Sequence, residues 1–152
     1  MNANGKVLLA RPHPFIVAEM APFLTQLGFT PVRVHSIEEL AATPRAVGAV
    51  ISLAVGSTIP ESAAEVFAAL RRHNARVPVL FASLLEFDVA RSVLAGLAEK
   101  TGVSAVFIGV DAGSSHDRDL GKPNTFFYVA KSDFDTPAQR ELFGRMLSRH
   151  FG

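Results

Sequence analysis

Phe126-Phe-Tyr-Val-Ala-Lys131-Ser-Asp-Phe134 is an apolar run that ends in a lysine and passes into a polar turn. A continuous apolar run of this length is typical of a strand that is buried on both faces of a parallel sheet. Other strand-like runs precede it, each followed by a segment with apolar residues at helical spacing: Lys6 to Ala10, Thr30 to His35, Gly48 to Leu53 and Val77 to Ala82. Strands that alternate with helices predict one α/β domain over residues 1–152, with a doubly wound parallel sheet of five strands and helices on both faces.

A further apolar run complicates the end of this pattern. Ser104 to Val110 also reads as a strand, and a polar segment rich in glycine and serine, Asp111 to Asn124, separates it from Thr125 to Ala130. We therefore expect an extra strand or a hairpin near residues 104–130, and the sequence leaves open which run is the central fifth strand. The polar segment holds potential metal ligands without a recognised ligand spacing, so we expect a solvated loop rather than a metal site: Asp111, His116, Asp117 and Asp119.

The helices are predicted from apolar spacing and from the signals at their ends. The first is expected to begin near Phe15 and to bend near Pro22, because a proline inside a helix removes one backbone hydrogen bond. The helix that follows residue 86 is expected to turn Val89 and Val93 inward, together with the leucines that follow them. Thr136-Pro137 is typical of a helix start, with an N-cap residue followed by proline.

Composition and charge narrow the classes of function. A chain of 152 residues that is 49% hydrophobic can bury a full-sized core, and its formal net charge of +1 does not favour nucleic acid or an anionic membrane as a partner. The absence of cysteine excludes disulfides and thiolate metal sites and fits a reducing compartment. No apolar run approaches the roughly 18 to 20 residues that span a bilayer. These features predict a soluble, cytoplasmic protein.

The order and spacing of these segments resemble the receiver domain of two-component response regulators. Val7-Leu-Leu-Ala-Arg-Pro-His-Pro14 is similar to the family's first strand and the loop after it, Val79-Leu-Phe-Ala-Ser83 to its fourth strand, and Tyr128-Val-Ala-Lys131 to its fifth strand. The resemblance covers nearly the whole chain and implies a flavodoxin-like fold. It also implies that Ser83 matches the hydroxyl that senses a phosphoryl group and that Lys131 matches the lysine that pairs with it.

The rest of the family's phosphorylation site does not carry over. Arg11 and Pro12 stand where the resemblance places two acidic magnesium ligands, and the phospho-acceptor aspartate falls at Ser52 or Leu53. Mg²⁺ is a hard cation that proteins hold through carboxylates, and an arginine in place of a ligand repels it. No carboxylate nucleophile remains to form an acyl phosphate. We therefore expect a degenerate pseudo-receiver that has no cofactor, no metal and no enzyme activity.

The changed residues predict a pocket that has exchanged negative charge for positive. Carboxyl ends of strands in open α/β sheets face a ligand crevice, so Arg11 and Lys131 are both expected to point into it. Buried charges need partners, and the two cations are expected to pair with Glu86 or Asp88. In the alternative, an anion or small ligand is sensed between Arg11, Ser83 and Lys131.

The predicted function is a signalling module that works through protein contacts in a two-component-type pathway. The expected partner is a kinase, an effector, a scaffold or a second copy of the chain. The expected contact face comprises the last helix, the lysine-bearing strand and the polar segment, and it includes Tyr128, Arg140 and Phe143. A third alternative, an enzyme with catalytic residues in the polar segment, has no nucleophile or cofactor motif to support it.

Overall fold

The computed structural model of the protein describes residues 5–42, 45–54, 57, 59–110 and 118–152. The strands are β1 (Lys6–Arg11), β2 (Thr30–Arg33), β3 (Gly48–Ser52), β4 (Val79–Ser83), β5 (Val106–Gly109) and β6 (Thr125–Ala130). They form a six-stranded parallel sheet in the order β2-β1-β3-β4-β6-β5. The α-helices are α1 (Ala21–Gln26), α2 (Ala63–His73), α3 (Phe87–Thr101) and α4 (Pro137–Phe151), and 3₁₀ turns cover Ile37–Ala42 and Lys131–Phe134.

Helices cover both faces of this sheet. On one face, α2 and α3 contribute Phe67 and Leu94 to a buried cluster with strand residues such as Phe126. On the other face, α1 and α4 contribute to a second cluster, which includes Phe143 and the strand residue Phe127. Neighbouring residues of β6 thus belong to opposite faces, as the pleat of a strand requires. The predicted doubly wound, flavodoxin-like α/β fold is confirmed, with six strands instead of five.

The position of β6 decides which of the two late runs is central. β6 pairs with β4 on one side and with β5 on the other, so the lysine-bearing strand is internal and β5 is the extra strand at the edge. All six residues of β6 are buried, whereas β5 leaves Val106 37% exposed. The pairing of β5 with β6 is parallel, so the two do not form a hairpin. Asp111, His116 and Asp117 of the polar segment lie outside the described residues.

The helical segment after β1 contains a π-helical turn at Ile16–Met20 and continues as α1. Its helical residues begin at Pro14, close to the predicted start, and the N–H of Ala21 donates to the carbonyl oxygen of Ile16, five residues earlier. Pro22 lies in the first turn of α1 and has no N–H to donate. A single π-helical turn is one of the ways in which a helix accommodates an interruption of its regular i→i−4 hydrogen bonds. The π-helical turn directly precedes the helical turn that holds Pro22, where the sequence predicts a bend.

Side-chain caps fix the starts of two long helices. The Ser62 hydroxyl accepts a hydrogen bond from the N–H of Glu65, and the Glu65 carboxylate accepts one from the N–H of Ser62, which completes a capping box at α2. The Thr136 hydroxyl accepts from the N–H of Gln139 at α4, which confirms the predicted cap. These caps set the position of the helices that flank the sheet's carboxyl edge.

Candidate functional site

The carboxyl ends of the parallel strands meet at one edge of the sheet. Arg11 ends β1, Ser52 ends β3, Ser83 ends β4, and Lys131 follows β6 directly. The pairing of Ser83 with Ala130 places the ends of β4 and β6 side by side. The sequence-predicted residues are therefore collected at a single edge, as the resemblance implies.

Arg11 is buried against the loop that follows β3. Its side chain is 4% exposed; Nη1 donates to the carbonyl oxygens of Ser52 (2.8 Å) and Ala54 (2.5 Å), and Nε donates to that of Glu61 (3.0 Å). Burial lowers the pKa of the guanidinium from its ordinary value. A register shift between Leu9 and Arg11 turns the end of β1, so that Arg11 lies opposite Ile51. The guanidinium thus ties β1 to the β3–α2 loop.

The two residues at the predicted phospho-acceptor position make contacts that hold the start of the β3–α2 loop. Ser52 is 1% exposed, and its hydroxyl accepts a hydrogen bond from the N–H of Ala54 at 3.1 Å. Leu53 is half-buried and packs against the core on the α2 and α3 side, while its N–H donates to the carbonyl oxygen of Ala82. Pro12 is buried, and its carbonyl oxygen accepts from the Ser57 hydroxyl at 2.6 Å. Neither Ser52 nor Leu53 presents an accessible nucleophile.

Ser83 belongs to a closed hydrogen-bond network with Tyr128. The Tyr128 hydroxyl donates to the carbonyl oxygen of Leu85 (2.6 Å), so Ser83 is the donor in the 2.5 Å contact between the two hydroxyls. The N–H of Leu85 in turn donates to the Ser83 hydroxyl at 3.1 Å. Burial raises the pKa of the Tyr128 phenol. These bonds tie the β4–α3 loop to β6.

Lys131 pairs with a carboxylate that the sequence does not point to. Its ammonium nitrogen lies 3.1 Å from Glu19 Oε1, and the side chains are 48% and 34% exposed. The Glu86 carboxylate accepts a hydrogen bond from the Ser132 hydroxyl at 2.6 Å instead. The predicted pairing of Arg11 and Lys131 with Glu86 or Asp88 is therefore wrong. Glu19 lies in the π-helical turn at Ile16–Met20, on the face of the sheet that α1 and α4 cover. The Lys131 side chain therefore extends toward that face of the sheet.

Arg11, Ser83 and Lys131 each have a separate partner. The arginine binds loop carbonyl oxygens, the serine binds Tyr128, and the lysine binds Glu19. An anion seated between the three would have to replace these contacts. The structure gives the predicted anion pocket little support.

Two residues of the predicted contact face are inaccessible. Tyr128 and Phe143 are fully buried, because β6 is internal to the sheet and Phe143 lies on the inward side of α4. Arg140 is half-buried, and its guanidinium carbon lies 5.7 Å from the ring centre of Phe23 and 5.5 Å from that of Phe134. The predicted contact face is therefore corrected: only Arg140 of these three residues has exposed surface.

An exposed apolar surface, which the apolar pattern of the sequence does not predict, lies instead at the start of α3. We call it the α3 patch, and it consists of Leu84 (61% exposed), Leu85 (41%), Val89 (57%) and Val93 (44%). The inward side of α3 is formed by Ala90 and Leu94 with two later residues, so the prediction that Val89 and Val93 face inward is wrong. The sequence feature that indicates this surface is the pair of adjacent leucines in the short loop between β4 and α3.

Over the described ranges, no group of three or more histidine, cysteine, aspartate or glutamate side chains is arranged to hold a metal ion. Asp119, the one described member of the polar segment's potential ligands, pairs with Lys122 at 3.4 Å. In the described part of the chain, no helix is both long and apolar enough to cross a membrane. No protein-family model matches this chain, and no curated protein matches it either.

Proposed function

We propose that this protein is a receiver-like signalling module that acts through protein contacts and is not phosphorylated. The observation that carries the proposal is the position of Arg11. At the end of β1, where the family resemblance implies acidic ligands, a buried guanidinium donates to carbonyl oxygens of the β3–α2 loop. The fold matches the class that the resemblance implies.

The chemistry of this edge argues against phosphoryl transfer. A fixed positive charge beside the β3–α2 loop opposes the binding of a divalent cation, which needs oxygen ligands that carry negative charge. Ser52 is buried and has no neighbouring general base among its described hydrogen-bond partners. The Ser83 hydroxyl is engaged by Tyr128. The side chains at this edge thus hold the β3–α2 loop and the β4–α3 loop in place.

The α3 patch supports the proposed role in protein contacts. Val89 and Val93 are four residues apart and therefore neighbours on one side of α3, and Leu84 and Leu85 directly precede the helix. Exposed apolar side chains grouped in this way mark interaction surfaces more often than singly scattered ones do. The proposed partner is a kinase, an effector or a scaffold of a two-component-type pathway, or a second copy of the chain.

The test is incubation with acetyl phosphate and Mg²⁺, or with beryllofluoride and Mg²⁺, beside an ordinary receiver domain as a positive control. We expect this protein to keep its mass and its oligomeric state, while the control gains a phosphoryl group. A stoichiometric adduct on this protein that hydroxylamine removes would contradict the proposal, since it would reveal an acyl phosphate.

A further inference from the structure

A cavity of about 450 Å³ opens at the carboxyl ends of β1 and β2. Its apolar walls come from Pro12 and Pro14 in the loop after β1 and from Val17 and Ala18 in the π-helical turn. This volume is in the range of small-molecule sites, which are concave and mostly apolar with a few polar groups. Single π-helical turns within helices often occur at functional sites.

The cavity lies where the strand order of the sheet reverses. The chain passes from β1 to β2 on one side and then to β3 on the other side of β1. In open α/β sheets, ligands bind outside the carboxyl ends of the strands at such a reversal. Residues after β1, at the end of β2 and in the β3–α2 loop all line the cavity: Pro12, Arg33 and Ser57.

Hydrogen bonds and prolines hold these walls in place. The Ser57 hydroxyl donates to the carbonyl oxygen of Pro12 at 2.6 Å, and Arg11 ties the end of β1 to Ser52 and Ala54. Proline fixes its own backbone angle, so Pro12 and Pro14 leave the loop little freedom. A site with walls that are already ordered loses less free energy to ordering when a ligand binds.

The polar lining of the cavity is basic. Arg33 follows Val32, which packs toward the α2 and α3 face, so the alternation of β2 directs Arg33 to the face that the cavity occupies. Arg33 has no ion-pair partner within the described ranges. Nδ1 of His13 accepts from the N–H of Phe15, so the neutral ring carries its proton on Nε2 and can donate it. No described acidic side chain lines the cavity.

We propose that this cavity binds a small carboxylate with an apolar body, the size of a short aromatic acid. The guanidinium of Arg33 has the planar donor geometry that a carboxylate accepts, and the proline, valine and alanine walls fit the apolar body. A phosphate dianion fits less well, because these walls would desolvate two charges opposite one guanidinium. This proposal concerns binding alone and does not depend on the proposed function.

The test is isothermal titration calorimetry with 3-phenylpropionate, its neutral analogue 3-phenylpropanol, and 3-phenylpropyl phosphate. We expect the wild type to bind the carboxylate at least about tenfold more tightly than the alcohol, because only the acid can pair with Arg33. R33Q is expected to weaken binding of the acid by a similar factor and to leave binding of the alcohol unchanged. R72Q, which changes an exposed arginine on α2, is the matched control and should behave as wild type.

A18F locates the site, because its ring would fill the cavity from an exposed position on the π-helical turn. We expect it to abolish binding of both the acid and the alcohol, with the circular dichroism spectrum unchanged. The proposal is overturned if acid and alcohol bind equally, if neither binds at millimolar concentration, or if the phosphate binds more tightly. The proposal is also overturned if R33Q binds the acid as tightly as the wild type does. This comparison does not depend on whether A18F folds.

Discussion

At the end of β1, the guanidinium of Arg11 organises a loop that belongs to a distant part of the chain. The guanidinium donates to carbonyl oxygens at positions 52, 54 and 61, which are 41 to 50 residues away in sequence. A buried carbonyl oxygen without a donor costs free energy, and arginine can satisfy several at once through its rigid set of N–H groups. Arg11 therefore acts as a structural bridge between β1 and the β3–α2 loop.

Replacement of Arg11 by methionine keeps most of the side chain's length and removes its donors. We expect R11M to lower the free energy of unfolding by about 3 kcal/mol, because several buried acceptors lose their partners together. Urea denaturation followed by circular dichroism measures this change. R72M alters an exposed arginine on α2 and is expected to change stability by less than about 0.5 kcal/mol. A loss below about 1 kcal/mol in R11M would contradict the bridging role.

The identities of the edge residues could be predicted from the sequence, but their partners could not. The apolar runs end at Arg11, Ser52, Ser83 and close to Lys131, and parallel strands bring these ends to one edge. The contact between Lys131 and Glu19 joins residues 112 positions apart. Whether a long, flexible side chain reaches one carboxylate or another depends on side-chain packing, which periodicity does not encode.

In α3, the prediction for the inward side is correct for Leu94 and Leu97 and wrong for Val89 and Val93. The residues on its inward side are Ala90, Leu94, Leu97 and Ala98, which repeat at helical spacing. Val89 directly precedes the inward Ala90, and Val93 directly precedes the inward Leu94. Successive residues of a helix are rotated by roughly 100°. Both valines are therefore directed outward. Alanine contributes little to a hydrophobic pattern, so the pattern favours the more apolar valines over Ala90 and Ala98 as partners of the inward leucines.

The α3 patch predicts a specific loss of partner binding. We expect V89K and V93K to lose a partner that wild-type protein retains from native cell extract, because a charged side chain removes apolar contact area. A95K places the same charge on another exposed side of α3 and is expected to keep the partner. Both valines are exposed, so stability should change by less than about 0.5 kcal/mol. Equal retention by all variants would show that contacts are made elsewhere.

The two late strands mark the limit of what apolar runs can predict. The sequence predicts both β6 and β5 as strands, since each run is short and apolar. Their order was not predictable, because periodicity indicates burial but does not identify neighbours. The structure places the fully buried β6 inside and the partly exposed β5 at the edge. Burial of every residue on a strand is thus the physical mark of the central position.

Across the whole molecule, His150 joins three distant segments at the amino end of the sheet. It lies in the last turn of α4 and is 1% exposed. Its Nδ1 accepts from the N–H of Gly121, which fixes the proton of the neutral ring on Nε2, and this nitrogen donates to the carbonyl oxygen of Val79 at 3.0 Å. Protonation would place a second proton on Nδ1 and break the contact with Gly121. Burial lowers the pKa of His150 to about 4.

This linkage makes global stability depend on pH. The unfolded chain binds a proton at a pKa of roughly 6.5 and the folded protein only near 4, so the unfolded state holds more protons between these values. The contribution of the neutral His150 side chain to the free energy of unfolding is therefore present above about pH 6.5. This contribution is lost progressively as the pH falls toward 4. From pH 6.5 to pH 5 we expect His150 to contribute a loss of about 1.5 kcal/mol. Urea denaturation at several pH values measures the slope.

H150Q keeps a polar side chain but cannot be protonated, so this part of the pH dependence should disappear, even though the variant is less stable at pH 7. H73Q removes an exposed histidine at the end of α2 and should leave the slope as in the wild type. An unchanged slope in H150Q would mean that other groups set the pH dependence. A reduced slope would show that the closure of α4 against β4 depends on one neutral imidazole.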